Sequence, residues 1–517
     1  MISIDQNSNS LWDTLPKLQA LEAANIDFIH CVEDIDAAFT RVGAHSDQLQ
    51  LTLEKYYPSG NLDWGASLFY MSFLGRTPLN LTSLTQYTGK TPAQTARQLG
   101  LSLDTLYDRF STADNWQLTA PSYINSDKTA HRLLGDLSTE EVLPFIKELF
   151  DKAEANLLHT FPEAEPQKRL QNWFKVERRK VTALAASHHT LADLYKAWLQ
   201  SYFTQKRIIK SSDHHVLADQ SARFLKRIIQ NYRQFIRLYN ESIDESGAEL
   251  SPINPATGEL PFFAIYEKEG HLVRSVITFD GKNLTAGELS HPVELFFDHV
   301  KAVSGKALLL VIIARLDSQG MPLALPVNGS LYTPASLILA EKIQQQFFSS
   351  KLHPIKRVKF NFLDQLKHSK VLIRLPAYLQ EFLPESMQAD LLARKLPQLI
   401  AECRQTLKQL RSDRETVFAG WYPELSAEIE ELKARKNQYG RDPEKRHLCQ
   451  ALWHEIKTAE QRFHHSCYQR LIHTVHTTEI GYWDSRGALL PWSIALGGET
   501  FYNHLINSAR IYTETQV

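Results

Sequence analysis

The chain is poor in cysteine, has no excess of charge of either sign, and lacks any long apolar run. Its four cysteines (Cys31, Cys403, Cys449 and Cys467) lie far apart and form no CxxC pair. This spacing excludes a disulfide framework and a cysteine-based zinc site, and suits a reducing cytoplasm. No segment approaches the roughly 18 uninterrupted apolar residues of a membrane-spanning helix, so none is expected. The opening MISIDQNSNS is polar and has no apolar signal core. With a formal net charge of −1, nothing global attracts nucleic acid or a membrane surface. Walker, GxSxG and HExxH motifs are missing, as are internal repeats and low-complexity tracts.

What is present is an ordinary globular composition, 43% apolar and 22% charged over 517 residues, enough for several domains with large cores. Charge is uneven along the chain. Residues 1–165 hold 22 Asp/Glu against 11 Lys/Arg, and residues 168–237 hold 15 Lys/Arg against 4 Asp/Glu. Two readings fit this pattern: helical faces that attract each other, or a basic stretch that meets an anionic substrate or nucleic acid.

Periodicity divides the chain into four segments: an acidic, mostly helical 1–138, a basic connecting helical segment 139–250, an α/β core 251–386, and a helical hairpin arm with a tail, 387–517. Within 1–138 a single strand is expected at Ile26–Val32. Long amphipathic helices are expected from Thr139, over Thr190–Phe203 and over Val216–Tyr239, with a short strand at Ile208–Lys210 and a cap at Ser212 or Asp213. Phe262–Glu267 and Leu272–Phe279 alternate at period two around Glu269-Gly270, which predicts a β-hairpin. Residues 291–303 read as a helix and Lys356–Phe362 as a strand. In the arm, 387–437 and 443–479 read as two antiparallel helices. Gly440, Asp442 and Pro443 punctuate the turn between them, and Gly420-Trp421-Tyr422-Pro423 interrupts the first. The tail reads as a short strand or loop followed by a final helix.

The passage Ala307–Phe348 is the most informative. Leu308–Ile313 is a short apolar run that reads as a buried strand. A second strand, Pro322–Val327, leads into Asn328-Gly329-Ser330, and a helix is expected from near Pro334. A glycine turn between a strand and a helix leaves backbone N–H groups at a helix N-terminus, where an anion or nucleotide can be held. Asn328, Gly329, Ser330 and Tyr332 are therefore the candidate ligand-binding residues, and Arg315 joins them as a cation for an oxyanion.

Other patterns are weaker. Residues 93–110 carry Ala96, Gly100, Ser102, Thr105 and Leu106 at helix-turn-helix positions, but Asp104 and Asp108 outweigh Arg109, so phosphates would be repelled. His454, His465 and His476 share one helix face within about 40°, yet they are about 16 Å apart along the axis and cannot share a metal unaided. His473-x-x-His476-x-x-Glu479 is loosely spaced. Glu288-x-x-His291 has no second copy of the di-iron motif it resembles. The doublets His188-His189 and His214-His215 flank helix starts and suit capping. No metal site is assigned.

In the order of its segments the chain resembles the bacillithiol-biosynthesis cysteine-adding enzymes, a family of cysteine ligases, as a divergent member. The resemblance runs from Leu134-Gly135-Asp136-Leu137 through HHTLADLYKAWLQSYF (188–203) and the SSDHH link (211–215). It continues in the hairpin 262–284, in GELSHPVELFFDH (287–299), in LALPVNGSLYTPASLILAEKI (323–343), and in the arm and tail. It implies an α-rich α/β fold: a Rossmann-like core, a connecting helical domain and a C-terminal antiparallel coiled-coil arm, with a homodimer through 387–479. The implied setting is bacterial thiol biosynthesis in the cytoplasm. The implied reaction joins cysteine to the amine of a small anionic metabolite, a glucosaminyl-malate, and leaves open whether ATP or another nucleotide supplies the activated donor. The family's first half carries a glycine-rich loop, whereas residues 1–130 here hold scattered single glycines, Gly65–Pro78 being the nearest equivalent. From another class comes a non-catalytic interaction or scaffold protein that uses the arm, and third comes a DNA-binding regulator acting through 93–110.

Overall fold

The computed structural model describes the chain except residues 6–10, 33, 35–36, 39–119, 122–130, 134, 214, 248–249, 251, 317–319, 328–332, 345, 349–351, 376, 381, 441–442, 478–488 and 515–517. The helix-turn-helix candidate at 93–110 and the loop Asn328–Tyr332 lie outside the described residues. The strands in chain order are β1 (Ile2–Asp5), β2 (Ile29–Val32), β3 (Ala37–Ala38), β4 (Ala120–Pro121), β5 (His131–Arg132), β6 (Ile208–Lys210), β7 (Glu259–Lys268) and β8 (His271–Phe279). They continue as β9 (Asn283–Ala286), β10 (Leu289–Pro292), β11 (Ala302–Gly305), β12 (Leu323–Pro326), β13 (Ile355–Lys359), β14 (Leu372–Arg374), β15 (Ser386–Gln388) and β16 (Arg510–Thr513). The principal helices are α1 (Leu11–Ala23), α2 (Thr139–Thr160), α3 (Ala164–Ala185), α4 (Leu191–Gln200), α5 (His215–Ile228), α6 (Tyr232–Ser246) and α7 (Ala307–Ile313). After them come α8 (Thr333–Gln344), α9 (Ala389–Ser412), α10 (Arg414–Trp421), α11 (Pro423–Tyr439), α12 (Arg446–Thr477) and α13 (Leu489–Asn507).

The protein is a mixed α/β structure. Its first sheet has the order β16-β13-β12-β1-β2-β6, parallel throughout except for the edge strand β16. Both faces are covered, as the apolar strands of a parallel sheet require. Leu323 and Leu325 of β12, Ile355 of β13 and Cys31 of β2 face one side, where Val311 and Ala314 pack. Ala324, Val358, Val32 and Ile208 face the other, beneath α1 to α4, α9 and α13. The second sheet is antiparallel, β10-β9-β8-β7-β11, with β5 beside β8. It shares a core with α5, α6, α7 and α8.

Helix α7 corrects the strand expected at Leu308–Ile313. Leu308, Leu309, Ile312 and Ile313 face the antiparallel sheet's core, while Val311 faces the parallel sheet. A helix buried on both sides is apolar all round, and its sequence cannot be told from a buried strand by periodicity. The helix expected over 291–303 is also corrected: β10, a single turn at Val293–Phe296 and β11 occupy that span. Val216–Tyr239 is divided between α5 and α6 by a 3₁₀ turn at Ile229–Asn231. The final helix expected in the tail is α13; the residues just before it, 478–488, lie outside the described ones, and a last strand, β16, follows it.

Other expectations match. The β7–β8 hairpin turns at Glu269 and Gly270, with φ of 53° and 80°, the two left-handed positions of a type I′ turn. Thr190 caps α4, its hydroxyl accepting from the Asp193 N–H. The interruption expected near Gly420 separates α10 from α11. Helices α11 and α12 share a small core of Ile429, Leu432, Leu452, Ile456 and Ala459. Leu392, Leu396 and Ile400 of α9 belong to the main core instead. Cys31 and Cys403 are buried and Cys449 is half-buried, all three unbridged. Burial pushes the Cys403 thiol up to about 12. Among the described residues no helix is long and apolar enough to cross a membrane.

Candidate functional site at the carboxyl edge of the parallel sheet

Pairing registers align the ends of five strands. Val32 stands opposite Lys210 and Asp5, Ile2 opposite Leu323, and Pro326 opposite Val358. Lys210, Val32, Asp5, Pro326 and Val358 thus finish on one edge. Along that edge the strand order reverses between β1 and β12, the first and fourth strands of the sheet in chain order. Helix α1 leaves this point to pack on one face, and α8 leaves it on the other. The chain leaves β12 through Val327 and α8 begins at Thr333; the candidate residues Asn328, Gly329, Ser330 and Tyr332 fall between them and lie outside the described residues.

The rim beside β2 and β6 is charged and well connected. The Asp34 carboxylate accepts from the Ser212 N–H at 2.9 Å and from the Ser212 hydroxyl. Burial raises the Asp34 carboxyl above its ordinary range, and the Ser212 bonds and Lys210 offset part of the rise. Lys210 pairs with Asp193 at 3.3 Å, and Lys196 with Asp213 at 3.7 Å. Burial alone would raise Asp193, but the Thr190 hydroxyl and Lys210 outweigh it and hold the carboxyl low. The Gly135 N–H donates to the Asp34 carbonyl at 3.1 Å, joining this rim to the turn before α2. On the other side, the Val327 N–H donates to the Val358 carbonyl, and Arg357 Nη1 donates to the Pro326 carbonyl at 3.0 Å.

Behind the edge, polar side chains lie in an otherwise apolar layer. Ser3, Thr14, Lys17 and His30 are all buried. His30 Nδ1 is 3.0 Å from Ser3 Oγ, across the β1–β2 pair. Burial, then the charge of Lys17, hold the imidazole well below its ordinary pKa, so it is neutral.

Arg315 lies at the amino edge of the sheet, and the loop it was grouped with lies outside the described residues. Arg315 follows α7, and its Nη1 donates to the carbonyl of His353, just before β13 begins. That is the amino edge, opposite the reversal point. The cause is the helical form of Ala307–Ile313: this segment returns the chain to the start of β12 instead of carrying it to a strand's end. His454 is exposed on α12. His291 stacks on His299 with ring centroids 3.8 Å apart. Among the described residues no group of three or more His, Cys, Asp or Glu is placed to hold a metal ion. Asp34, Ser212 and His30 were missed in the sequence because strand order brings them together over separations of up to 178 residues.

No family model matches the chain, and no curated protein matches it in sequence.

Proposed function

We propose that the chain is a divergent carbon–nitrogen ligase-like enzyme with a Rossmann-like core, acting on a small anionic metabolite bound between β1 and β12. The observation that supports this reading is the reversal of strand order there. In open α/β sheets, ligands bind outside the carboxyl ends of the strands at such a point. Helices α1 and α8 each follow, in chain order, one of the two strands that meet there, and a helix N-terminus favours a negatively charged group. In this reading Asn328, Ser330, Tyr332 and the N–H groups around Gly329 hold the anion. An amine nitrogen attacks the carbon of an activated carboxyl group, cysteine being the amino acid the resemblance suggests. The C–N bond forms, the donor's leaving group departs with its electron pair, and the amine's proton passes to a base. Asp34, on the same edge with its proton affinity raised by burial, suits that last role. A nucleotide such as ATP is the proposed source of the activating group on that carboxyl, a phosphoryl or adenylyl group that leaves as phosphate or AMP. The test is a thermal-shift screen against nucleotides, amino acids including cysteine, and sugar–malate conjugates. Saturable stabilisation by several degrees is expected from a nucleotide or a conjugate; no shift with any of them would overturn the reading.

A second reading, a scaffold that dimerises through a coiled-coil arm within 387–479, is favoured by Leu448 and Trp453, which are 38% and 44% exposed on α12. Light scattering should then show a dimer that Trp453→Glu with Leu448→Glu converts to monomer. A wild-type monomer would remove this reading.

A further inference from the structure

Strand β16 ends the first sheet on one side, and no further strand pairs with it among the described residues. It runs antiparallel to β13, with Arg357 opposite Tyr512, Val358 opposite Ile511 and Lys359 opposite Arg510. The ladder continues one residue past the strand, where the Glu514 N–H donates to the Ile355 carbonyl at 2.9 Å. Inward and outward backbone groups alternate along an antiparallel strand. Counting back from Glu514, the groups of Tyr512 and Arg510 point inward to β13. Those of Ile511 and Thr513 point outward, an edge open to another strand. Arg510 and Thr513 are exposed, and Tyr512 is 45% exposed. By the two-residue period, Arg510, Tyr512 and Glu514 share one face. Arg510 also stands directly opposite Lys359, where like charges repel.

We infer that β16 is a homodimer interface: the edge strands of two copies of this chain pair antiparallel about a two-fold axis at Tyr512, so that one sheet continues from chain to chain. In this register Ile511 faces Thr513 of the second copy, and Thr513 faces its Ile511, so every outward N–H and C=O of both strands is met. Tyr512 faces its own counterpart at a non-hydrogen-bonded position, where cross-strand side chains approach most closely. Arg510 faces Glu514 of the second copy, and symmetry repeats the pair. The Glu514 carboxylate already accepts from Arg357 at 3.1 and 3.0 Å, and its remaining lone pairs can take a second guanidinium. An axis at Ile511 or at Thr513 would not bring Arg510 to Glu514, so charge complementarity selects Tyr512. An interface of so few residues belongs to the small, weak class. It is separate from Leu448 and Trp453 on α12 and rests on neither functional reading above.

Sedimentation velocity of the full chain, at concentrations up to about 0.1 mM, gives the dimer dissociation constant. A wild-type dimer is expected. Thr513→Pro removes an outward N–H and keeps the bonds to β13, the one setting in which a strand tolerates proline. Arg510→Glu sets carboxylates against each other at both symmetry-related positions. Each variant should weaken dimerisation by about tenfold or more, with far-UV circular dichroism as the check on folding. Arg510→Glu carries the test if the proline variant does not fold. Trp453→Glu with Leu448→Glu should leave this dimer intact. A wild-type monomer over the whole range, full-strength dimers of the folded β16 variants, or a dimer lost only in the α12 variant overturns the inference.

Discussion

Replacing Glu177 with alanine is expected to destabilise the protein by about 3–5 kcal/mol, the range for removing one member of a buried charged network. Glu177 is buried on α3 at 2% exposure. Its carboxylate accepts from Trp198 Nε1 at 3.0 Å, from the Tyr202 hydroxyl at 2.5 Å and from Lys180 Nζ at 2.8 Å. Burial, then the Glu177 charge, push the Tyr202 phenol far above its ordinary range, so it remains a donor. The Lys180 ammonium also lies 3.9 Å from the Tyr202 ring centroid, a second favourable contact with the same group. Alanine would strand an indole N–H and a phenol O–H in the layer that joins α3 to α4. Glutamine keeps an acceptor oxygen and should cost clearly less. Urea denaturation followed by tryptophan fluorescence gives the comparison. Equal losses for Glu177→Ala and Glu177→Gln would show that the carboxylate's acceptor role is not what stabilises this layer.

The second large effect is on pH. His30 is neutral in the folded protein, held there by burial and by Lys17. In the unfolded chain a histidine titrates near 6.5. Below that value the unfolded state binds a proton that the folded state does not, so stability falls as pH drops through 6.5 and toward the lower folded value. The contribution is fully present above about pH 6.5, and its slope approaches about 1.4 kcal/mol per pH unit within the window. His30→Asn removes the titrating group while its amide can still meet Ser3. Midpoints measured from pH 7.5 to 5 should show the wild type losing more stability than the variant. Parallel curves would contradict a neutral buried His30. His30 and Ser3 sit on β2 and β1, beside the point where the strand order reverses.

Much of the local structure was legible because local chemistry decides it. Glu269-Gly270 between two period-two runs admits little but a hairpin turn, and Thr190 followed by Asp193 is a helix start on either side of folding. Ile208–Lys210 was legible as a strand, although its place beside β2 was not. The errors share a cause. Leu308–Ile313 is apolar because two sheets enclose it, and that enclosure is a tertiary fact invisible to periodicity. The helical form of this segment also sets Arg315 beside the His353 carbonyl, at the start of β13. The order β16-β13-β12-β1-β2-β6 joins strands separated by hundreds of residues, so neither the reversal point nor the Asp34–Ser212 pair had a local signature. The loop at Asn328-Gly329-Ser330 is nominated from its glycine turn alone, and it lies outside the described residues.

The measurement that bears most directly on the crevice is the binding of the strongest ligand from the thermal-shift screen to the wild type and to Gly329→Val, by calorimetry, with far-UV circular dichroism as the check on folding. Valine is expected to abolish binding while the dichroism spectrum is unchanged, because a β-branched residue lacks the backbone freedom that the sequence reading assigns to Gly329. Binding of wild-type strength by a folded Gly329→Val protein would contradict the assignment of the anion to this crevice.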